Sequence, residues 1–239
     1  MLRTSNPTLN ENIFRRSFDY PSTERMTLDG AINKTALLLL IVTAAASWTW
    51  GTQNILLMWI GLIGGLITSF VTIFKKEWSP VSAPIYAALE GLFLGGISVI
   101  FNKIYAGIVF QAVTLTFGIL FSLLLAYKTG VIRASEKFKL GIVSATGAIF
   151  LIYLVDIILS LFGVRIPFIH ETGLIGIGFS LFVIVIASLN LILDFDLIEQ
   201  GVDMGAPKFM EWYGAFGLMV TLIWLYIEIL NLLLKLRKD

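Results

Sequence analysis

The chain is 239 residues long, 57% hydrophobic and only 14% charged, where an ordinary soluble domain carries about 25% charged residues. That composition excludes a soluble globular domain, and a net charge of +1 gives no electrostatic reason to bind nucleic acid. The absence of cysteine excludes disulfide frameworks and thiol chemistry, and a single histidine, His170, excludes paired-histidine metal motifs.

Met1–Gly30 is polar, with Pro7, Pro21 and four arginines but no apolar signal core. It reads as an extended cytoplasmic arm, residues 1–30. Residues 31–239 follow as one seven-helix transmembrane domain, whose first span doubles as an uncleaved targeting signal. A span needs about 20 mainly apolar residues. No residue between Lys34 and Lys75 is charged, which is room for two spans, 32–50 and 54–74. Gly51–Asn54 is the turn between them, with Trp48, Trp50 and Trp59 at interfacial positions. Lys75 to Pro80 is a tight polar connection. The third span is expected at 83–101, the fourth at 107–127, the fifth at 140–162, the sixth at 173–200 and the seventh at 210–235.

Seven spans place the termini on opposite sides. With the N-terminus inside, twelve basic residues fall in inner segments and five in outer ones, so the positive-inside rule favours a cytoplasmic N-terminus. The basic C-terminal tail dissents, and a re-entrant seventh segment is the alternative. Gly61 and Gly65, and Gly91 and Gly95, have the GxxxG spacing that brings membrane helices close. In the last span Gly214, Gly217, Thr221, Trp224, Glu228, Asn231 and Lys235 follow three- and four-residue steps. They form one polar, small-residue stripe, expected to face the protein interior.

The chemistry rests on carboxylates in apolar helices, because a charge at the bilayer centre costs at least about 2.5–3.5 kcal/mol. Glu228 lies deep in the seventh span. Asp194 and Asp196 lie in the sixth, and being two residues apart they point about 200° away from each other. Asp194 shares a face with Asn190, and Asp196 with Glu199; one acid is expected to face the core and the other the headgroup region. Glu90 in the third span and Asp156 in the fifth are further acids, with Asn231 beside Glu228. Burial favours the neutral form of a carboxyl and a second acid reinforces the preference, so a pair tends to share a proton and titrate as a unit. Lys75 and Lys76 are the nearest counter-charges, or else ordinary membrane anchors. Several such carboxylates suggest a cation or proton path, and hard oxygen ligands of this kind suit calcium. His170 reads as a surface loop residue. No nucleophile–base arrangement points to an enzyme, and no cofactor is called for.

Phe195-Asp196-Leu197-Ile198-Glu199-Gln200 and Leu225-Tyr226-Ile227-Glu228-Ile229-Leu230-Asn231-Leu232 resemble the paired acidic motifs of the Bax inhibitor-1 family. Tyr86–Ser98, with Glu90, Gly91 and Gly95, and the arm segment Ser5–Asn10 resemble a bacterial branch of it. The resemblance implies an all-α membrane protein in which two three-helix layers wrap a central last helix. It also implies a pH-sensitive calcium leak gated by the acid pair, here Asp196 and Glu228, with Lys75 or Lys76 as the basic partner of the sixth-span acid. The alternatives are a proton-coupled carrier and a non-transporting regulator of stress responses or of a membrane protease, docked on a membrane-protein partner. The implied setting is the bilayer of a bacterial inner membrane, crossed several times. Two features depart from the family pattern. Glutamate stands in the seventh span where aspartate is usual. Thirty-two positions also separate Asp196 from Glu228. At 1.5 Å per residue the two would lie at roughly 6 Å and 30 Å from the connecting turn, unless Lys208–Tyr213 runs along the interface or the sixth helix continues into the cytoplasm.

Overall fold

The computed structural model of the protein describes residues 24–132, 134–164 and 166–237. Most of the expected arm, residues 1–23, lies outside the described residues, as do Arg133 and Arg165. Among the described residues there is no strand, and seven helices are long and apolar enough to cross a membrane. They are α1 (Leu28–Thr52), α2 (Ile55–Phe74), α3 (Ser79–Ile104), α4 (Ile108–Lys128), α5 (Glu136–Leu161), α6 (Leu174–Asp203) and α7 (Met210–Leu236). A 3-10 turn, Lys76–Trp78, precedes α3, and a short helical turn, Pro167–His170, lies between α5 and α6.

All seven expected spans are present, but several begin about a turn early: α1 at Leu28, α3 at Ser79 and α5 at Glu136. The apolar run marks where hydrocarbon starts, whereas the helix starts at its cap. Thr27 accepts a hydrogen bond from the Gly30 N–H at 3.0 Å, and Ser135 caps α5 through the Phe138 N–H at 3.3 Å. Each hydroxyl satisfies a first-turn donor that has no carbonyl partner within the helix. Pro80 sits in the first turn of α3, where its missing N–H breaks no helical bond. At the turn after α1, Gln53 adopts a left-handed φ of 51° and its N–H bonds the Thr49 carbonyl. Asn54 then caps α2 through the Leu56 N–H at 2.9 Å.

Two compact units divide the chain. The first comprises residues 24–106 with Asp194–Val220, and the second Gly107–Leu193 with residues 221–237. Each helix of the final pair therefore contributes one portion to each unit. In the first unit both GxxxG pairs serve helix contacts. A Cβ on Gly91 or Gly95 would strike the α1 backbone at Val42 and Ala46, and one on Gly61 would strike α3 at the Leu89 carbonyl and Phe93 N. Helix α3 is thus held backbone to backbone on two sides, by van der Waals contact that needs no hydrophobic drive. The Tyr86 and Phe216 rings meet edge to face at 4.8 Å. In the second unit the core is Ile142 and Ile149 of α5 with Val183, Ile186 and Leu193 of α6. The Trp224 side chain packs against this cluster.

The most buried helix is α7, with 61% of its apolar window buried against 17–22% for α1, α2, α4 and α5. The stripe expected to face inward is only part of this. Ala215, Phe216 and Leu230, on other faces of α7, are all at 0% exposure. Apolar residues around the whole circumference are the mark of a helix buried on every side, which a search for one inward stripe passes over.

Candidate functional site

In the second unit, Glu228 is 4% exposed on α7. One of its carboxyl oxygens, Oε1, accepts from the Tyr153 hydroxyl at 2.8 Å and from the Trp224 indole N–H at 3.2 Å. Trp224 reaches it because four residues is one helical turn. Tyr153 comes from α5, where its ring also stands edge to face on Phe179 of α6 at 6.1 Å. Both donors are neutral, so this oxygen is served equally as a carboxylate or as the carbonyl of a protonated acid. Two turns on, Lys235 is 8% exposed. Its ammonium donates to the Gly176 carbonyl at 3.0 Å and the Ser180 hydroxyl at 2.8 Å. A lysine at a helix end usually snorkels to the interface; here it turns inward, as its place in the stripe predicts. Asn231, on the same stripe, is half-buried.

Asp156 sits five residues before the end of α5. Its carboxylate accepts the Ile166 N–H at 3.1 Å and pairs with His170 Nε2 at 2.9 Å. His170 is on the surface, as expected, with 43% of its side chain exposed. The loop histidine thus pins the stretch after α5 to the acid near that helix's end. Asn190 of α6, 2% exposed, donates to Thr146 and to the Ile186 carbonyl, both at 2.8 Å.

The remaining acids of α6 belong to the first unit, and helical phase separates them as expected. Asp194 is at 0% exposure, while Asp196 is half-buried and accepts from the Gln200 side chain at 2.5 Å. The core-facing acid is therefore Asp194. Glu199, on the Asp196 side, is exposed. Glu90 of α3 is 8% exposed and fills the space that Gly65 leaves, since a Cβ there would stand 2.7 Å from its Oε1. Lys75 caps the end of α2 and is exposed; Lys76, half-buried, opens the 3-10 turn. Met210, Glu211 and Tyr213 are at 0% exposure, so this stretch is the buried start of α7. Helix α6 runs on to Asp203, three residues beyond its expected end.

Sequence reasoning missed Glu211. Its side chain, at 0% exposure, takes Lys34 at 2.5 Å and Lys208 at 3.4 Å. It also accepts the Thr27 N–H and hydroxyl, both at 2.9 Å. Lys34 lies 5.4 Å over the Trp212 ring. The usable signal was Lys34 itself, a lone cation inside the first turns of an apolar helix that requires an acid. An acid in the first turn of the last span was the natural place to look, because a helix N-terminus favours negative charge. Among the described residues no three His, Cys, Asp or Glu side chains converge as a metal site.

The profile of the family described as Bax inhibitor 1 like matches residues 6–238, nearly the whole chain. No curated protein and no solved structure matches the chain.

Proposed function

The chain belongs to the Bax inhibitor 1 like family and is a multi-pass integral membrane protein; from that premise we propose that it is a pH-sensitive cation leak, with calcium as the permeant ion. Glu228 is the acid whose protonation opens or closes it, acting with an acid of α6. The observation that carries the reading is Glu228 itself: a carboxyl at 4% exposure on the most buried membrane helix, met by two neutral donors. Charge on a carboxyl there is costly, which makes its protonation state sensitive to pH and to whatever solvates it. An acid held by lysines would be locked in its ionised form, whereas one held by a phenol and an indole can exchange a proton without losing either bond. The reading requires no enzymatic step and no cofactor. It places the protein in a bacterial inner membrane with a cytoplasmic N-terminus, as the distribution of basic residues favours.

The test is calcium flux into proteoliposomes across a series of pH values. Wild type is expected to show a pH-dependent leak and Glu228→Gln a flat one. Asp196→Asn and Asp194→Asn, each alone and combined with Glu228→Gln, identify the partner, because the true partner has no further effect once Glu228 is neutral. Equal, pH-dependent flux from wild type and Glu228→Gln excludes the proposal.

A further inference from the structure

The α6–α7 connection is not a free loop. Glu24–Thr27, just before α1, runs antiparallel beside it. The Met26 N–H donates to the Ala206 carbonyl at 2.7 Å, and the Lys208 N–H donates to the Glu24 carbonyl at 3.1 Å. Arg25 and Pro207 are bridge partners, and the Arg25 guanidinium also donates to the Gly205 carbonyl at 3.1 Å. Met26 is 2% exposed, with its side chain close to Gly214 of α7. Thr27 closes the arrangement twice over, capping α1 while giving its N–H and hydroxyl to Glu211. Gly30 is the residue that lets α1 approach: a Cβ there would collide with the Glu211 carboxylate. The grip is strong at one point, the buried Glu211, and light elsewhere, because Glu24, Arg25 and Thr27 are exposed.

We infer that Glu24–Thr27 is a strap latched on Glu211, and that it holds the α6–α7 hinge closed until it is lifted. The strap is covalently continuous with residues 1–23, so a pull on the N-terminal segment acts on the hinge. Helix α7 is unbroken from Met210 to Leu236, so freedom gained at its start is passed along the helix that carries Glu228. The inference rests on the leak reading for its consequence, but the latch itself is testable without flux.

The absence of cysteine makes the test clean. Arg25 and Pro207 form the non-hydrogen-bonded pair of their bridge, whose Cα separation of about 4.5 Å lies within the range a disulfide spans. In Arg25→Cys/Pro207→Cys, oxidation is expected to cross-link one chain internally and lower calcium leak, with reduction restoring it. Separately, Ala206→Cys, buried at 0% exposure, reports opening by its rate of maleimide labelling. Glu211→Gln is expected to raise that rate about tenfold, in line with the population of the open form. Thr27→Val, an exposed and milder change, raises it less, and Thr27→Ser leaves it near wild type. Labelling unchanged by both Glu211→Gln and Thr27→Val overturns the latch. Equal flux from cross-linked and reduced protein, while wild type leaks, overturns its control of transport. If wild type does not leak at all, the labelling still decides the latch, and the failure belongs to the leak reading.

Discussion

Glu211 and Glu228 stand on the same helix, both nearly or wholly buried, and their surroundings differ in kind. Glu211, at 0% exposure, is met by two lysines and by the N–H and hydroxyl of Thr27. Glu228, at 4%, is hydrogen-bonded by a phenol and an indole. Lys235, two turns on, acts on it only through space, because its ammonium is bonded to Gly176 and Ser180. Counter-charge fixes an acid in one form and makes it a fastener. Neutral donors leave both forms bonded and make it a switch. Burial alone does not distinguish the two roles; the charge of the partners does.

The sharpest way to break this contrast is Glu211→Ala. Removing one member of a buried ion pair costs about 3–5 kcal/mol when the other is left unpaired. Lys34, with a side chain 20% exposed, can regain some water, so a loss of about 3 kcal/mol is expected in denaturant unfolding of the detergent-solubilised protein. Adding Lys34→Met to that variant should recover roughly half of the loss, because the stranded charge goes with it. No recovery would show that Lys208 or the Thr27 bonds carry the site. A smaller effect, about 1 kcal/mol, is expected for Tyr153→Phe, which deletes one neutral hydrogen bond to Glu228. Smallest in stability is Glu228→Gln. Its amide oxygen accepts the same two donors, so unfolding should shift by less than about 1 kcal/mol while the pH response of calcium flux is lost. A stability loss at Glu228→Gln as large as that of Glu211→Ala would make both residues fasteners.

The fold was largely legible in the chain, because hydrocarbon imposes a length and a composition that no other environment requires. The seven spans follow from apolar length, and the two glycine seams and the division of Asp194 from Asp196 from helical spacing. Boundaries were less legible, since a cap such as Thr27 or Ser135 lies outside the apolar run it serves. Glu228 was legible for the same reason as the spans: it is costly where it stands. Tyr153 was not, because a tyrosine in a membrane helix is affordable anywhere and its partner lies 75 residues away. Glu211 was hidden by position, since an acid at the start of a span looks like an interfacial residue until the contact with Lys34, 177 residues earlier, is in place.

The glycine seams of the first unit bear on the order in which the protein is made. Helices α1, α2 and α3 are consecutive, and their backbone-to-backbone contacts are complete once residue 104 has left the ribosome. Domains generally fold as units during synthesis, N-terminal parts first. The three helices therefore can dock in the bilayer as an early block. The acid that neutralises Lys34 arrives only with Glu211. From its completion until Glu211 emerges the block carries an unanswered cation, and the last helix is the part that completes it. A chain truncated before Asp194 thus keeps the seams and loses the fastener, and membrane quality control would meet it as a packed but charged fragment.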